Sequence, residues 1–178
     1  MRSTTNPTAL EGRRLDWRRV RGRSIESALS RSDWVCFDVL LKVIAIGDKS
    51  QNPKASELNH LAYKRGDEMF KVANFYSAAS EFTEALEYWP QDSEAWMALG
   101  NCFDEIEKPR KAEYCFKAAL LHCREEKRPS LEYNLGNSLF DQGRMDEAIT
   151  LYAGIPKEHS SYKKAQENLG LARQKSKN

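Results

Sequence analysis

A glycine returns at one register of an apolar helical pattern, at Gly66, Gly100, Gly136 and Gly170, with spacings of 34, 36 and 34 residues. Glycine inside a helix costs about 1 kcal/mol relative to alanine. Its return therefore implies a close helix–helix approach that offsets this cost and that the chain makes more than once. The segments around the first three glycines align without gaps: Ala62-Tyr63-Lys64-Arg65-Gly66-Asp67, Trp96-Met97-Ala98-Leu99-Gly100-Asn101 and Glu132-Tyr133-Asn134-Leu135-Gly136-Asn137. Twelve residues after each glycine stands an alanine (Ala78, Ala112, Ala148), four further on an aromatic (Phe82, Phe116, Tyr152), and three beyond that Ala85, Ala119 or Ile155. Pro90 closes the first unit.

Antiparallel helices come within about 8–10 Å where small side chains face each other. Gly66, Gly100 and Gly136 on one helix and Ala78, Ala112 and Ala148 on the next are the small residues available, with Trp96, Leu99, Phe103, Phe116 and Leu120 to fill the space beside them. The pattern predicts first helices over 59–72, 93–106 and 129–142, and second helices over 75–88, 109–122 and 145–153. Asp92 offers an N-cap, Pro109 suits a first helical turn, and Gly143 suits a left-handed stop. Charged, turn-like residues 123–129 absorb the two extra residues between the second and third units.

This spacing and its residues resemble the tetratricopeptide repeat family, over roughly 59–160 plus a lone helix to about 175. The resemblance implies an all-α fold: an α-solenoid of three tetratricopeptide helical hairpins (59–92, 93–128 and 129–160), a C-terminal capping helix with a basic tail (161–178) and an N-terminal helical extension with its linker (32–58). Two units depart from the pattern. The first has Ala62 and Arg65 where larger apolar residues are usual, so its first helix needs cover on one side. The third has Glu132 at the Trp position, and Gly154-Ile155-Pro156 shortens its second helix.

Ahead of the repeats, Trp34, Phe37, Leu41 and Ile44 recur at helical spacing within an apolar run, Trp34–Ile46. Two readings stand: a helix packed on the first repeat, or a dimerisation or docking helix formed by residues 34–46. The run contains Asp38 and Lys42 and is too short to span a bilayer. Residues 1–31 carry eight Arg against three acids, a balance of +5, residues 59–155 a balance of −6, and residues 156–178 a balance of +4. The basic arm reads as a flexible arm or as a targeting segment. The expected location is cytoplasmic, with organelle import through the Arg-rich N-terminus as the alternative. Cys36, Cys102, Cys115 and Cys123 have no C-x-x-C spacing and sit in apolar patterns, so buried free thiols are expected.

The resemblance also places a ligand groove along the first helices. Its positions correspond to Tyr63, Asp67, Phe70 and Lys71 in the first unit, Met97, Asn101, Asp104 and Glu105 in the second, and Tyr133, Asn137, Phe140 and Asp141 in the third. Tyr63, Phe70, Met97, Tyr133 and Phe140 supply apolar contact, Asn101 and Asn137 amides for a ligand backbone, and Asp67, Asp104, Glu105 and Asp141 negative charge. A protein or peptide partner with Lys or Arg and one or two apolar anchors matches that set. The clamp that some family members use for chaperone C-termini is missing: Asp67 stands where Asn is wanted, and Ser130 and Asn134 where Lys and Arg are wanted. His60, His122 and His159 are scattered, and no phosphate loop occurs. The expected function is thus an adaptor or assembly factor with no catalytic role, cofactor or metal. Nucleic-acid or anionic-surface binding through Arg13, Arg14, Arg18, Arg19, Arg21 and Arg23 with Trp17 is the alternative.

Overall fold

The computed structural model describes residues 49–177. The basic arm, the run Trp34–Ile46 with its proposed dimer role, and Cys36 lie outside the described residues. The described residues form seven α-helices: α1 (Ala55–Lys71), α2 (Phe75–Tyr88), α3 (Ser93–Glu105), α4 (Pro109–His122), α5 (Arg128–Asp141), α6 (Met145–Gly154) and α7 (Tyr162–Lys175). Short 3-10 turns stand at Lys49–Gln51 and Glu125–Lys127, and no strand occurs among the described residues. Each helix packs on the one before it in sequence, and α1, α3 and α5 also touch in a row. The result is a stack of helical hairpins, an α-solenoid.

Helix ends follow local chemistry. Asp92 accepts the backbone N–H groups of Glu94 and Ala95 at 3.0 and 3.1 Å, capping α3, and its other oxygen accepts from Asn59 of α1 at 3.0 Å. Pro109 opens α4. The first helix starts at Ala55 and not at 59, because the Asn52 carbonyl accepts the Ala55 N–H and begins the helical turn there. Between the helices of each hairpin the chain turns through one left-handed residue: Ala73 (φ 58°), Glu107 (φ 55°) and Gly143 (φ 78°). The expected stop at Gly143 is therefore one of three equivalent turns, two of them made without glycine.

The repeated glycines meet aromatic rings. A Cβ on Gly66 would lie 2.8 Å from Phe82, on Gly100 2.6 Å from Phe116, and on Gly136 2.7 Å from Tyr152. The hairpin thus closes as a ring pressed into a glycine notch, while Ala78, Ala112 and Ala148 are fully buried beside it. Burying a ring of this size contributes about 1.5–3 kcal/mol. The fourth glycine, Gly170, meets nothing within 4 Å, since no second helix covers α7 among the described residues. Trp96 is buried, with its indole N–H donating to the Pro90 carbonyl at 2.8 Å.

The thiols divide. Cys102 and Cys115 are buried, and burial pushes the Cys102 thiol up to about 12. Cys123 is only half-buried, because α4 ends at His122 and leaves it in the cap position. The expectation of four buried thiols therefore fails at Cys123.

Candidate functional site

The row of first helices α1, α3 and α5 carries all the residues assigned to the groove, and side-chain hydrogen bonds tie α5 to α3 and α7 to α5. Asn134 of α5 donates to Asn101 of α3 at 3.2 Å. Ser138 of α5 donates to Asp104 of α3 at 3.0 Å. Asn168 of α7 donates to Asn137 of α5 at 3.0 Å, and that same Asn137 oxygen accepts the Tyr152 hydroxyl at 2.9 Å. The amide oxygens of Asn101 and Asn137 are thus occupied by bonds between repeats. Asn137 joins three helices, and replacing it would disturb packing as well as any ligand.

The aromatic members are half-buried and anchored. Tyr63 packs at a tilt against Phe82 with ring centroids 5.3 Å apart, Phe70 meets Phe75 edge-on at 5.2 Å, and Tyr133 packs at a tilt against Tyr152 at 6.0 Å. Met97 packs against the core. Phe140 takes the Lys175 ammonium of α7 over its ring, 4.4 Å from the centroid. Held rings of this kind offer contact area with little conformational entropy left to lose.

Charges on the row differ in their partners. Asp67 is paired with Lys71 one turn on. Asp104 is half-buried, and burial raises its carboxyl to about 7, with the charges of Asp141 and Glu105 adding to the rise and the Ser138 hydroxyl opposing it. Glu105 and Asp141 are exposed. None of the ion pairs among the described residues engages Asp104, Glu105 or Asp141. On the second helices, by contrast, carboxylates are neutralised: Glu81 and Glu84 hold Arg65, and Glu113 holds Lys117 and Arg144.

Three contributors to this face were not singled out from the sequence: Ser138, Asn168 and Lys175. The signal that could have found Ser138 is an offset between neighbouring first helices: Ser138, two residues after its glycine, lies beside Asp104, four residues after its own, so facing residues do not share a register position. The clamp positions are engaged otherwise, Ser130 with His159 at 3.2 Å and Asn134 with Asn101. Among the described residues no group of His, Cys, Asp or Glu could hold a metal ion, and no helix is long and apolar enough to cross a membrane.

The tetratricopeptide repeat family pattern matches residues 63–129 and 106–163, more than half of the chain and the same stack of hairpins. The chain belongs to the tetratricopeptide repeat family. Among relatives, it is similar to the general transcriptional corepressor trfA of Dictyostelium discoideum, 24% identical over 147 residues, 78% of this chain and 10% of that protein. It is also similar to the general transcriptional corepressor ssn6 of Schizosaccharomyces pombe, 26% identical over 116 residues, 61% of this chain and 10% of that protein. The chain spans about a tenth of the length of these two relatives. Among solved structures, the first tetratricopeptide domain of Spaghetti (RPAP3), bound to the HSP90 peptide SRMEEVD, superposes with a TM-score of 0.62 at 15% identity, covering 69% of this chain and 96% of that one. The Arabidopsis OM64 tetratricopeptide domain superposes with a TM-score of 0.59 at 18% identity, covering 65% and 96%.

Proposed function

We propose that this tetratricopeptide array is a protein-interaction module, an adaptor that holds a basic peptide along α1, α3 and α5 and catalyses no reaction. One observation carries the reading: Phe140 already holds a lysine ammonium over its ring, on the row of helices that also carries Asp104, Glu105 and Asp141, which none of the ion pairs among the described residues engages. A cation over an aromatic face and near unpaired carboxylates is favoured on both counts. Lys175 then stands in for a partner's lysine, and a partner with Lys or Arg flanked by apolar anchors uses the surface of Tyr63, Phe70, Met97 and Tyr133. The similarity to a peptide-bound tetratricopeptide domain supports peptide holding as the mode, and the similarity to two general transcriptional corepressors agrees with a scaffold. The sign of the charge argues against the particular peptide seen there, since SRMEEVD would bring its own carboxylates to Asp104, Glu105 and Asp141.

The test is a fluorescence polarisation titration of the full chain with two labelled heptapeptides, SRMEEVD and SRMKKVK. Binding of the lysine peptide is expected, weakened by added salt and by Glu105→Gln with Asp141→Asn, both exposed positions whose change leaves the packing alone. Tighter binding of the acidic peptide, or no response to the double substitution, overturns the reading.

A further inference from the structure

We infer that the exposed stripe on the outer face of α1 is a docking seat and that its occupant is the apolar segment 35–46 of this same chain. The seat is visible by comparing α1 with the other first helices at the glycine register. The position five before the glycine is Ala95 in α3, Leu131 in α5 and Ala165 in α7; the position one before it is Leu99, Leu135 and Leu169; the position two after it is Cys102, Ser138 and Ala172. All nine are at most 5% exposed, because each of those helices lies against the second helix that precedes it: α2 on α3, α4 on α5 and α6 on α7. In α1 the same three positions are Leu61, Arg65 and Glu68. Leu61 is 48% exposed, Glu68 is exposed, and Arg65 leans away to Glu81 and Glu84 on α2. Met69 and Val72, 37% and 71% exposed, continue the same helical face with Leu58, at the three- and four-residue spacing that puts side chains on one stripe. A stripe of this kind on the first helix of an array is the face a further helix covers in every later unit.

The chain leads into this seat from the correct end. Lys49 is tied to the C-terminal end of α2, its ammonium 2.6 Å from Glu87 and 5.0 Å from the centre of the Tyr88 ring, and the Asn52 carbonyl starts α1. In the rest of the array a second helix hands over to the next first helix through residues 89–92, 123–127 and 155–161. Residues 47–54 would make a link of the same kind between Ile46 and Ala55. Within 35–46, Phe37, Leu41 and Ile44 recur at helical spacing, and Lys42 is opposite in sign to Glu68. The apolar segment needs a cover and the seat needs an occupant. A repeat array closes its exposed ends with a helix for the same reason.

The experiment uses the full chain and a thermodynamic cycle between the two surfaces, Leu41→Asp on the segment and Leu61→Glu on the seat, read by thermal unfolding, with hydrogen exchange across α1. Each single substitution is expected to lower Tm and to speed exchange in α1 by roughly tenfold or more. The double variant is expected to be no worse than the worse single one, since both remove one contact. Leu41→Ala, a milder change, gives the same reading if Leu41→Asp does not fold. An unchanged Tm in Leu61→Glu, additive losses in the double variant, or residues 35–46 exchanging as an open chain in the wild type each overturn the inference. So does a concentration-dependent dimer by light scattering that Leu61→Glu converts to monomer, which would assign the seat to a second copy.

Discussion

A Cβ on Gly100 would stand 2.6 Å from the Cε1 of Phe116, a ring that is itself fully buried between α3 and α4. The two residues are a notch and the wedge that fills it, and the same pairing recurs as Gly66 with Phe82 and Gly136 with Tyr152. In Gly100→Ala the helix gains about 1 kcal/mol of propensity, but the ring cannot swing into free space. Overpacking of a filled core costs about 1–3 kcal/mol, and a Cβ 2.6 Å from a ring with no room to move lies toward the upper end, so the net effect is destabilising by up to about 2 kcal/mol. Gly170→Ala has the same sequence context, meets nothing within 4 Å, and gains the propensity alone. Urea unfolding of the two variants should move the midpoint in opposite directions.

Asp104 links the candidate face to pH. Its carboxyl titrates near 7 in the folded chain, raised mainly by burial, against about 3.9 in the unfolded chain. Between those values the native state holds a proton that the unfolded state has lost, so stability falls as pH rises through the window, by at most about 1.4 kcal/mol per unit. Asp104→Asn can still accept from Ser138 and removes the titration. Its urea midpoint should change less between pH 5 and pH 8 than that of the wild type and should exceed it at pH 8. Binding of SRMKKVK should strengthen across pH 6 to 8 in the wild type, as Asp104 ionises, and lose that added dependence in the variant.

Glu113 on α4 works in the opposite direction. Burial alone would raise its carboxyl, but hydrogen bonds from Lys117, Gln142 and Arg144 outweigh this and hold it below the usual range. Arg144 approaches both of its oxygens at 2.8 Å, joining the second hairpin to the turn of the third. A depressed folded-state value means stability that is complete above the unfolded value and is lost as pH falls through the folded one. Glu113→Gln weakens charge-assisted bonds and should cost about 1–2 kcal/mol at pH 7. Acid unfolding, followed by circular dichroism below pH 4.5, should lose part of its steepness in the variant.

The stacking of the hairpins was legible because close packing writes itself into composition. Only glycine tolerates Phe82, Phe116 or Tyr152 at contact distance, and only alanine fits beside them. What joins one hairpin to the next was less legible. Asn137 reads as a free amide on a groove, yet its oxygen is shared by Tyr152 and Asn168, and Asn168 belongs to a helix read only as a cap. Polar residues on a half-buried row can face a ligand or a neighbour, and sequence spacing does not separate the two. Cys123 reads as core because its neighbours are apolar, but the helix ends one residue before it. The start of α1 at Ala55 was hidden for a related reason: an Asn-Pro-Lys turn carries no apolar periodicity.

The left-handed turns show the same limit and allow a direct test. Ala73, Glu107 and Gly143 stand seven residues after the three notch glycines, and all three have positive φ. Each turn closes with the same pair of backbone bonds: Glu107 N to Asp104 O at 2.9 Å and Lys108 N to Phe103 O at 2.8 Å, matched by Ala73 with Asn74 and by Gly143 with Arg144. This is the six-to-one and five-to-two closure of a helix end whose stop residue is left-handed. A residue with a Cβ pays about 1–2 kcal/mol there, and glycine does not, although glycine loses more chain entropy on folding. Glu107→Gly and Ala73→Gly should each therefore stabilise the chain by roughly 0.5–1 kcal/mol, and Gly143→Ala should destabilise it by about 1 kcal/mol. Thermal unfolding of the three variants reads the sign. A loss of stability in Glu107→Gly would mean that its side chain makes a contact worth more than the backbone strain it imposes.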